Sequence, residues 1–379
     1  MGQTILITGG AGFIGSHLAD LLLRHGHRVR ALDNLSEQVH GAAAAEGRRP
    51  DYLDPEVELV VGDVRDRRAV DRALDGVDAV YHFAAAVGVG QSMYEIAGYT
   101  SVNNMGTAVL LEAMAERAKR RPFARLVVAS SMSLYGEGLY RAPDGTLVAD
   151  AERPREQLVA GDWETRDALG RVLEPLPTPE TKAPSLASVY ALSKYDQERL
   201  CLMVGRAYGI PAVALRFFNV FGTRQALSNP YTGVLAIFAS RLLNGRAPMV
   251  FEDGRQQRDF VHVHDVARAC HAALTAEGAA GETINVGSGN RYTVREIAER
   301  TAAAVGKPYL LPEVTGKYRV GDIRHCVADI AKARALLGYA PQVSFDAGLE
   351  ELAGWLEGQT AADRVDAASA ELAARGLTV

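Results

Sequence analysis

A glycine-rich turn near the start of the chain constrains the fold more than any other feature of the sequence. The run TILITGG predicts a short strand, and the helical pattern that follows begins with Phe13 and Ile14. Between them, Gly9 permits a tight turn, Gly12 lets backbone amides approach a phosphate, and Gly15 lets helix and strand pack closely. The turn therefore predicts a strand, a phosphate-binding loop and a helix, in that order.

Strand-like and helix-like segments alternate after this turn. The strand-like runs are VRALD, ELVVGD, DAVYHFAA, ARLVVASS and AVALRFF, and helical patterns occur near 66–74, 101–119 and 188–207. Such alternation is typical of βαβ units with parallel strands. We therefore predict an α/β fold with a Rossmann-type doubly wound parallel sheet.

The alternation of strand-like and helix-like segments becomes irregular after Asn219, where glycine, proline and asparagine become frequent and the predicted elements become shorter. We expect residues 1–218 to form the nucleotide-binding domain and residues 219–358 to form mainly a smaller, interleaved C-terminal lobe. Within the first domain, the segment 136–187 has weak periodicity, and its length suggests a functional loop or an insertion. Residues 359–379 are rich in alanine and acidic residues, which predicts a solvated helix or a frayed tail.

Asp33 indicates which dinucleotide the glycine turn binds. It ends the second predicted strand, about 20 residues after the glycines, where a carboxylate typically holds the ribose hydroxyls. A carboxylate at this position repels a 2′-phosphate, so NAD is favoured over NADP. The alternative, that the glycines serve turn geometry alone, leaves the surrounding strand, helix and carboxylate without a common purpose.

Two further strand ends are expected to contact the cofactor. Asp63 follows the third strand and either lies near the adenine or caps the next helix, while Ala84 and Ala85 keep the end of the fourth strand small. His82 lies inside that apolar strand, and we interpret it as a packed core residue, not as a catalyst. The predicted cofactor site includes Gly9, Gly12, Phe13, Ile14, Gly15, Asp33, Asn34, Asp63, Val64, Ala84 and Ala85, and Asn103, Tyr190 and Lys194, described below, complete it.

The run YALSK places Tyr190 and Lys194 on one face of a helix, where both can contact substrate and cofactor. A tyrosine with a pKa of about 10 is a poor base at neutral pH, and lowering that pKa by about 3 units requires about 4 kcal/mol. Lys194 and the positive charge of an oxidised nicotinamide can supply this together. Ser131 ends the strand LVVASS, and its hydroxyl is expected to bind the reacting oxygen.

The chain resembles the extended short-chain dehydrogenase/reductases, specifically the nucleotide-sugar epimerases and dehydratases. The motifs that carry this resemblance include TGGAGFIGSHL, GDVRD, HFAA, YALSK, LRFFNVFG and EDGRQQRDFVHVHDVA, and together they extend from about Thr4 to Trp355. The resemblance implies bound NAD, a nucleotide-diphosphate sugar as substrate, and a homodimer formed through a four-helix bundle, here around Thr107 and Leu200.

The resemblance also implies roles for individual side chains. Asn103 is similar to the asparagine beside the cofactor, and Asn219 to the one that contacts the sugar diphosphate. Arg258 and Arg319 are similar to the diphosphate-binding arginines, whose guanidinium groups match phosphate oxygens. Both arginines could instead form ordinary surface ion pairs.

The reaction is narrowed by the two residues that follow Ser131. Dehydratases of this family carry an Asp-Glu pair there, whereas this chain has Met132 and Ser133, so elimination and the related decarboxylation are disfavoured. The remaining reaction is epimerisation, most simply at C4 through a transient 4-keto sugar. The predicted substrate site comprises Ser131, Met132, Ser133, Asn219, Arg258, Arg319 and Cys326.

Within the epimerases, the runs GVGQSMYE, SSMSLYGEG and QALSNPYTGVLAIFASRLLNG are most similar to the dTDP-L-rhamnose 4-epimerase group. Members of that group often carry a CPxCG element in the insertion; this chain has no cysteine there, so no metal site is expected. Cys326 either borders the sugar pocket or is a buried apolar cysteine. Alternatives are a UDP-sugar 4-epimerase, a 4,6-dehydratase, a reductase with a diffusible cofactor, and a noncatalytic NAD-binding regulator, which would commonly lack the Tyr/Lys pair.

Composition and charge exclude several other classes of protein. The net charge is −5, with 41 basic and 46 acidic side chains well mixed, which gives no electrostatic reason to expect a nucleic-acid or membrane partner. The three cysteines are odd in number and widely separated, so no disulfide framework is indicated and a reducing cytoplasm is expected. The first residues match no targeting signal.

Overall fold

A parallel sheet forms the larger part of the fold. The computed structural model describes residues 2–41 and 47–378, and in this part of the chain the sheet has seven strands in the order β14-β9-β5-β4-β1-β2-β3. Every strand pair in it is parallel, as the alternation predicted. Its strands are β1 Thr4–Thr8, β2 Arg28–Asp33, β3 Glu58–Val61, β4 Ala79–His82, β5 Arg125–Ser131, β9 Ala212–Phe217 and β14 Thr283–Val286.

Helices cover both faces of this sheet, which explains why its central strands are apolar throughout. In β1, Ile5 and Ile7 belong to one hydrophobic cluster and Leu6 to a second on the opposite face. Among the described residues before Asn219, the α-helices are α1 Phe13–Arg24, α2 Glu37–His40, α3 Arg67–Ala73, α4 Val89–Ser92, α5 Ile96–Tyr99, α6 Gly106–Ala118, α7 Arg155–Val159 and α8 Val189–Tyr208. A π-helical turn, Thr100–Met105, precedes α6.

The segment after Asn219 contributes to two parts of the molecule. Its strand β14 returns to the large sheet, where Thr283 pairs with Ala214 of β9. A second group of elements forms a smaller core that includes Phe238 and Leu352. The elements of this segment are β10 Asn219–Phe221, α9 Val234–Leu243, β11 Met249–Val250, β12 Gln257–Arg258, β13 Phe260–His262, α10 Val263–Thr275, β15 Tyr292–Thr293, α11 Val294–Ala304, β16 Glu313–Val314, β17 His325–Ala328, α12 Ala331–Leu337, α13 Phe345–Leu356 and α14 Val365–Ala374. No helix in the described ranges combines the length and apolarity needed to cross a membrane.

The segment 136–187, which we expected to be a functional loop or an insertion, contains strands that form part of a second sheet. It supplies β6 Leu139–Arg141, β7 Leu147–Val148 and β8 Glu174–Thr178. The order of this sheet, over the described residues, is β15-β12-β17-β8-β6-β7, so three strands of the insertion extend three strands of the C-terminal lobe. Val327 of β17 pairs with Pro177 of β8, which joins segments 150 residues apart in the sequence.

The C-terminal segment packs against the body of the molecule and is not frayed. Leu372 on α14 is 5% exposed, and Asp366 on the same helix pairs with Arg241 at 2.8 Å. Beyond the helix, the backbone amide of Val320 donates to the carbonyl of Leu377 at 2.9 Å. The alanine-rich composition did not predict this packing, because it depends on a few larger side chains and on a backbone hydrogen bond.

Candidate active site

A cavity of about 540 Å³ lies at the carboxyl ends of the parallel strands, where ligands bind in sheets of this type. It is lined by residues at or just after the carboxyl ends of β1, β2, β3, β4, β5 and β9, and by the start of α8. The predicted cofactor and reaction residues therefore share one cavity. Those that line it are Gly9, Gly12, Phe13, Ile14, Gly15, Asp33, Asn34, Asp63, Val64, Ala84, Ala85, Ser131, Tyr190, Lys194 and Asn219.

The glycine turn has the geometry of a phosphate cradle. Gly9 has a φ of +70°, a conformation that side-chain-bearing residues rarely adopt. A Cβ on Gly15 would lie 2.4 Å from the carbonyl oxygen of Gly9, so helix and turn can approach this closely only without a side chain. Gly12 precedes α1 as its N-cap without a capping side chain, which leaves the first amides of the helix available to an anion. The turn therefore fits the pyrophosphate of a dinucleotide.

Asp33 is held at the end of β2 by backbone amides. Its carboxylate oxygens accept from the amide of Ala11 at 3.1 Å and from the amide of Leu35 at 2.9 Å. The side chain is 8% exposed and lines the cavity. A fixed carboxylate with further lone pairs suits a ribose diol and opposes a 2′-phosphate, as expected for NAD.

Asp63 does not cap the helix that follows it. The N-cap of α3 is Asp66, whose side chain accepts from the amide of Arg68 at 2.9 Å. Asp63 instead lines the cavity and accepts from the guanidinium of Arg65 at 2.8 and 2.7 Å. The hydrogen bonds from Arg65 hold the pKa of the Asp63 carboxyl below its usual range.

Tyr190 lies in the first turn of α8, with its phenol facing the cavity. Ser188 caps this helix by accepting a backbone amide through its side chain, which fixes the start of α8 beside the end of β5. The Tyr190 ring packs edge-on against Tyr99, with centroids 6.4 Å apart. Burial raises the pKa of Tyr190, and a hydrogen bond with Ser131 opposes this. The protein groups alone therefore do not lower the pKa of Tyr190, and the lowering expected from Lys194 together with an oxidised nicotinamide stays a prediction.

Lys194 is fixed by a residue that the sequence analysis missed. Its ammonium donates to Oε1 of Gln197 at 2.6 Å, and Nε2 of Gln197 contacts Oγ1 of Thr107 at 2.8 Å and Nε2 of His82 at 3.1 Å. Burial lowers the pKa of Lys194 to about 8. His82 also contacts Oγ1 of Thr8 at 2.8 Å and is fully buried, as expected for a core histidine. The i, i+3 spacing of Gln197 from Lys194 was the available signal.

Ser131 is oriented by Ser133. The amide and hydroxyl of Ser133 lie 3.2 and 2.9 Å from Oγ of Ser131, and both donate to it. The proton of Ser131 is then left for the phenol of Tyr190 or for a substrate oxygen. Met132 is 8% exposed and packs into the core, so neither Met132 nor Ser133 is among the residues that line the cavity.

Asn103 supports the cavity wall from behind and is not one of the residues that line it. Its amide accepts from the backbone N–H of Ala86 at 2.7 Å and donates to the Ala86 carbonyl at 3.1 Å and to Oγ of Ser193 at 2.8 Å. Ala86 does line the cavity. The side chain of Asn103 therefore contacts the cavity wall through the backbone of Ala86, and its expected place beside the cofactor stays a prediction.

Arg258 and Arg319 lie on either side of one carboxylate. Arg258 is at 3.5 Å from Asp322 and donates to the carbonyl of Arg324 at 2.9 Å, while Arg319 donates to Asp322 at 3.0 Å. The Arg319 guanidinium also stacks over the ring of Phe251 at 4.9 Å. Both arginines therefore interact with Asp322, and neither of them lines the described cavity.

The remaining substrate-side residues differ in their surroundings. Asn219 lines the cavity and donates its side-chain amide to the carbonyl of Asp259 at 3.1 Å. Cys326 is 1% exposed, its thiol lies 3.8 Å from Oγ1 of Thr178, and burial raises its pKa to about 12. Of our two interpretations, the geometry of Cys326 matches the buried apolar cysteine.

A group of histidines and a carboxylate lies outside the cavity. Nε2 of His262 and Nδ1 of His264 are 3.6 and 3.8 Å from Oε2 of Glu351. Nδ1 of His262 accepts from the backbone amide of His264 at 3.4 Å, so the proton of a neutral His262 ring lies on Nε2 and faces the carboxylate. This group links α13 to the start of α10.

A glycine-turn cavity in a parallel sheet, with a fixed carboxylate, a tyrosine, a lysine and a serine around it, defines a dinucleotide-dependent enzyme of the short-chain dehydrogenase/reductase class. The chain belongs to the NAD dependent epimerase/dehydratase family, whose model matches residues 5–287. NAD is its cofactor, in agreement with the preference inferred from Asp33.

Individual relatives match almost the whole chain. A dTDP-L-rhamnose 4-epimerase from Burkholderia thailandensis is 36% identical and covers 94% of this chain and 95% of its own. A putative UDP-glucose 4-epimerase from Methanocaldococcus jannaschii is 31% identical and covers 93% and 98%. The structure of Thermus thermophilus UDP-glucose 4-epimerase with NAD has a TM-score of 0.72 at 32% identity and covers 94% and 100%.

Proposed function

We propose that this enzyme inverts C4 of a nucleotide-diphosphate sugar, and that its substrate is a dTDP-6-deoxyhexose of the dTDP-L-rhamnose type. The observation that carries the reaction type is the constellation around Ser131. A hydroxyl and a phenol meet there, and the two positions where dehydratases have an acid pair hold Met132 and Ser133. This set can move one proton to and from one hydroxyl, which is what epimerisation requires.

The other carboxylates of the cavity do not replace the missing acid pair. Among the described residues that line it, the carboxylates are Asp33, Asp63 and Glu95. The first is held by backbone amides and the second by Arg65, both at the strand ends that carry the ribose side of the site. Glu95 accepts from the side-chain amide of Gln91 at 3.1 Å. Elimination of water from a sugar is therefore disfavoured.

Tyr190 accepts the proton of the sugar 4-hydroxyl and later returns a proton to the same oxygen. Ser131 donates a hydrogen bond to this oxygen as negative charge develops on it. Lys194, with a pKa of about 8, is mostly charged at neutral pH and stabilises the phenolate electrostatically. NAD, when bound, supplies reversible two-electron oxidation at C4. Between the two proton transfers, the keto sugar turns so that its other face is presented.

The choice of nucleotide and sugar is supported by likeness to a relative over nearly the whole chain. The Burkholderia thailandensis protein named dTDP-L-rhamnose 4-epimerase is 36% identical over 357 residues. Arg258 and Arg319 are proposed to bind the diphosphate by exchanging part of their contact with Asp322 for phosphate oxygens. UDP-sugars are the second candidate class, because other relatives are named UDP-glucose 4-epimerases.

A substrate panel tests this proposal. The enzyme is incubated with dTDP-L-rhamnose, UDP-glucose, UDP-glucuronate and a GDP-sugar, and new anomeric signals are followed by NMR. We expect the C4 epimer from dTDP-L-rhamnose, and no turnover by Tyr190→Phe, which should still bind NAD. Conversion of a UDP-sugar alone would overturn the proposed substrate. A 4-keto-6-deoxy product from dTDP-glucose would overturn the proposed reaction.

We also propose a homodimer in the cytoplasm. The outer face of α8 carries Leu192 and Met203, which are 46% and 53% exposed, and Met105 beside α6 is 58% exposed. Apolar side chains of this size on two adjacent helices suit a four-helix bundle with a second copy. All three cysteines are buried free thiols, which agrees with a reducing compartment. Light scattering after gel filtration should give twice the chain mass, and Leu192→Asp should halve it.

A further inference from the structure

Three amide side chains from separate parts of the chain meet at the cofactor cavity. Gln38 lies on α2, just after the strand that ends in Asp33; Gln91 lies on α4; and Asn229 lies in the connection between β10 and α9. All three line the cavity that contains the glycine turn and Tyr190. None of them was predicted as a site residue, because glutamine and asparagine in loops have many ordinary uses.

Gln38 bridges the other two. Its side-chain NH₂ donates to Oε1 of Gln91 at 2.9 Å and to Oδ1 of Asn229 at 3.2 Å, so both of its hydrogens have an acceptor. The Gln91 amide also lies 3.4 Å from Oε1 of Gln38. The bridge therefore connects α2 and α4 with the chain segment between β10 and α9.

The partners of Gln38 are anchored more firmly than Gln38 itself. Gln91 and Asn229 are each 7% exposed. Oε1 of Gln91 also accepts from the hydroxyl of Tyr99 at 3.1 Å, and Oδ1 of Asn229 also accepts from the amide of Tyr231 at 3.0 Å. Gln38 is exposed and, among the described residues, its side chain forms hydrogen bonds with these two partners alone. It can therefore release both partners by a rotamer change, while they stay in place.

We propose that Gln38, Gln91 and Asn229 form an amide clasp that closes the cavity over NAD and slows its exchange with solvent. An epimerase restores its cofactor in every cycle, so slow exchange costs no turnover and prevents loss of the reduced form while the keto sugar turns. This proposal concerns the exchange of NAD and does not depend on which sugar is the substrate. Its test is therefore independent of the substrate panel.

Gln38→Glu is the sharpest test, because it keeps the length of the side chain and replaces the donor NH₂ by an acceptor oxygen that faces two acceptors. Gln38→Ala removes the bridge altogether. Glu37→Ala, an exposed neighbour on the same helix, is the matched control. Association and dissociation rates of NAD are measured with the purified full-length protein by stopped-flow fluorescence, with etheno-NAD as the competing probe.

We expect both rate constants to rise about 10-fold or more in the two Gln38 variants and to remain unchanged in the control, since two hydrogen bonds are lost. The dissociation constant should change little, because the proposed clasp obstructs the entry and the exit of NAD alike. A faster dissociation with unchanged association would overturn the clasp and make Gln38 a direct ligand of NAD. Rates equal to those of the control would also overturn it. Adding Asn229→Ala to Gln38→Ala should have no further effect, because both act on one bridge.

Discussion

Replacing Gln197 by methionine should shift the pH dependence of turnover, because Gln197 supplies the acceptor for the buried ammonium of Lys194 at 2.6 Å. A hydrogen bond to a charged group contributes about 1.5–3 kcal/mol. At about 1.4 kcal/mol per pKa unit, its loss should lower the pKa of Lys194 from about 8 by roughly 1–2 units. At pH 7.5 the charged fraction would fall from roughly three quarters to roughly a tenth.

The assay is the rate of epimerisation between pH 5.5 and 9, with NAD content checked at each pH. The parent enzyme should lose activity as pH rises through about 8, since Lys194 then loses its proton. Gln197→Met should lose it at correspondingly lower pH, while at pH 6 the two enzymes should be similar. Gln197→Glu, which places a carboxylate at the same point, should move this alkaline limb of the pH profile, where activity is lost, to higher pH. An alkaline limb that is identical in all three would refute this role of Lys194.

Further predictions concern the turn, the core and the C-terminal segment. Gly15→Ala should lower the stability by about 1–3 kcal/mol and remove most of the bound NAD, because its Cβ would meet the Gly9 carbonyl. The control Gly354→Ala, which has open space for its Cβ, should show neither effect. Thermal melts and NAD content check this. Burial lowers the pKa of His82 to about 3, so the folded state resists protonation and stability falls as pH drops below 6.5. The loss of stability amounts to about 2 kcal/mol at pH 5. Urea unfolding at pH 7.5 and pH 5 measures it, and His82→Gln should not show this loss between the two pH values. Leu372→Asp should expose the C-terminal segment to trypsin without lowering the main unfolding temperature; unchanged cleavage would contradict its docking.

The large sheet and its glycine turn were predictable because local signals determine them. The strands β1, β4 and β5 are almost wholly buried, so their sequences are continuous apolar runs. The turn needs glycine at Gly9 and Gly15 for reasons of backbone geometry alone. Tyr190 and Lys194 were found because their spacing on a helix is fixed.

The second sheet was not predictable from the same kind of signal. Its strands have two to five residues, and β8 contains Pro175 and Pro177, which are poor strand formers. Such strands exist because partners from distant parts of the chain complete them. Gln38 and Gln197 were missed for a related reason, since a glutamine acquires its role only from the acceptors that the fold brings to it.

Resemblance indicated Asn103 as a residue near the cofactor, but it could not indicate which groups its side chain contacts. A motif fixes which residue is present near a site, and the fold decides whether its side chain reaches the ligand or a neighbour. In this protein, both hydrogens of the Asn103 side-chain NH₂ are donated, to Ala86 and to Ser193, and Oδ1 accepts from the amide of Ala86. Burial likewise raises the pKa of Tyr190 in the protein alone, so the lowering expected from Lys194 and an oxidised nicotinamide together needs the bound cofactor.

The second sheet, which joins strands of the insertion to strands near the C-terminus, affects how the chain folds during synthesis on the ribosome. Strand β8 ends at Thr178, and its parallel partner β17 begins at His325, so nearly 150 residues are synthesised before the edge of β8 can be covered. Pairings of such long sequence separation form slowly, and open strand edges invite association between nascent chains. We therefore expect chains arrested before residue 325 to be soluble only with a chaperone, even though every residue of the dinucleotide turn has already emerged.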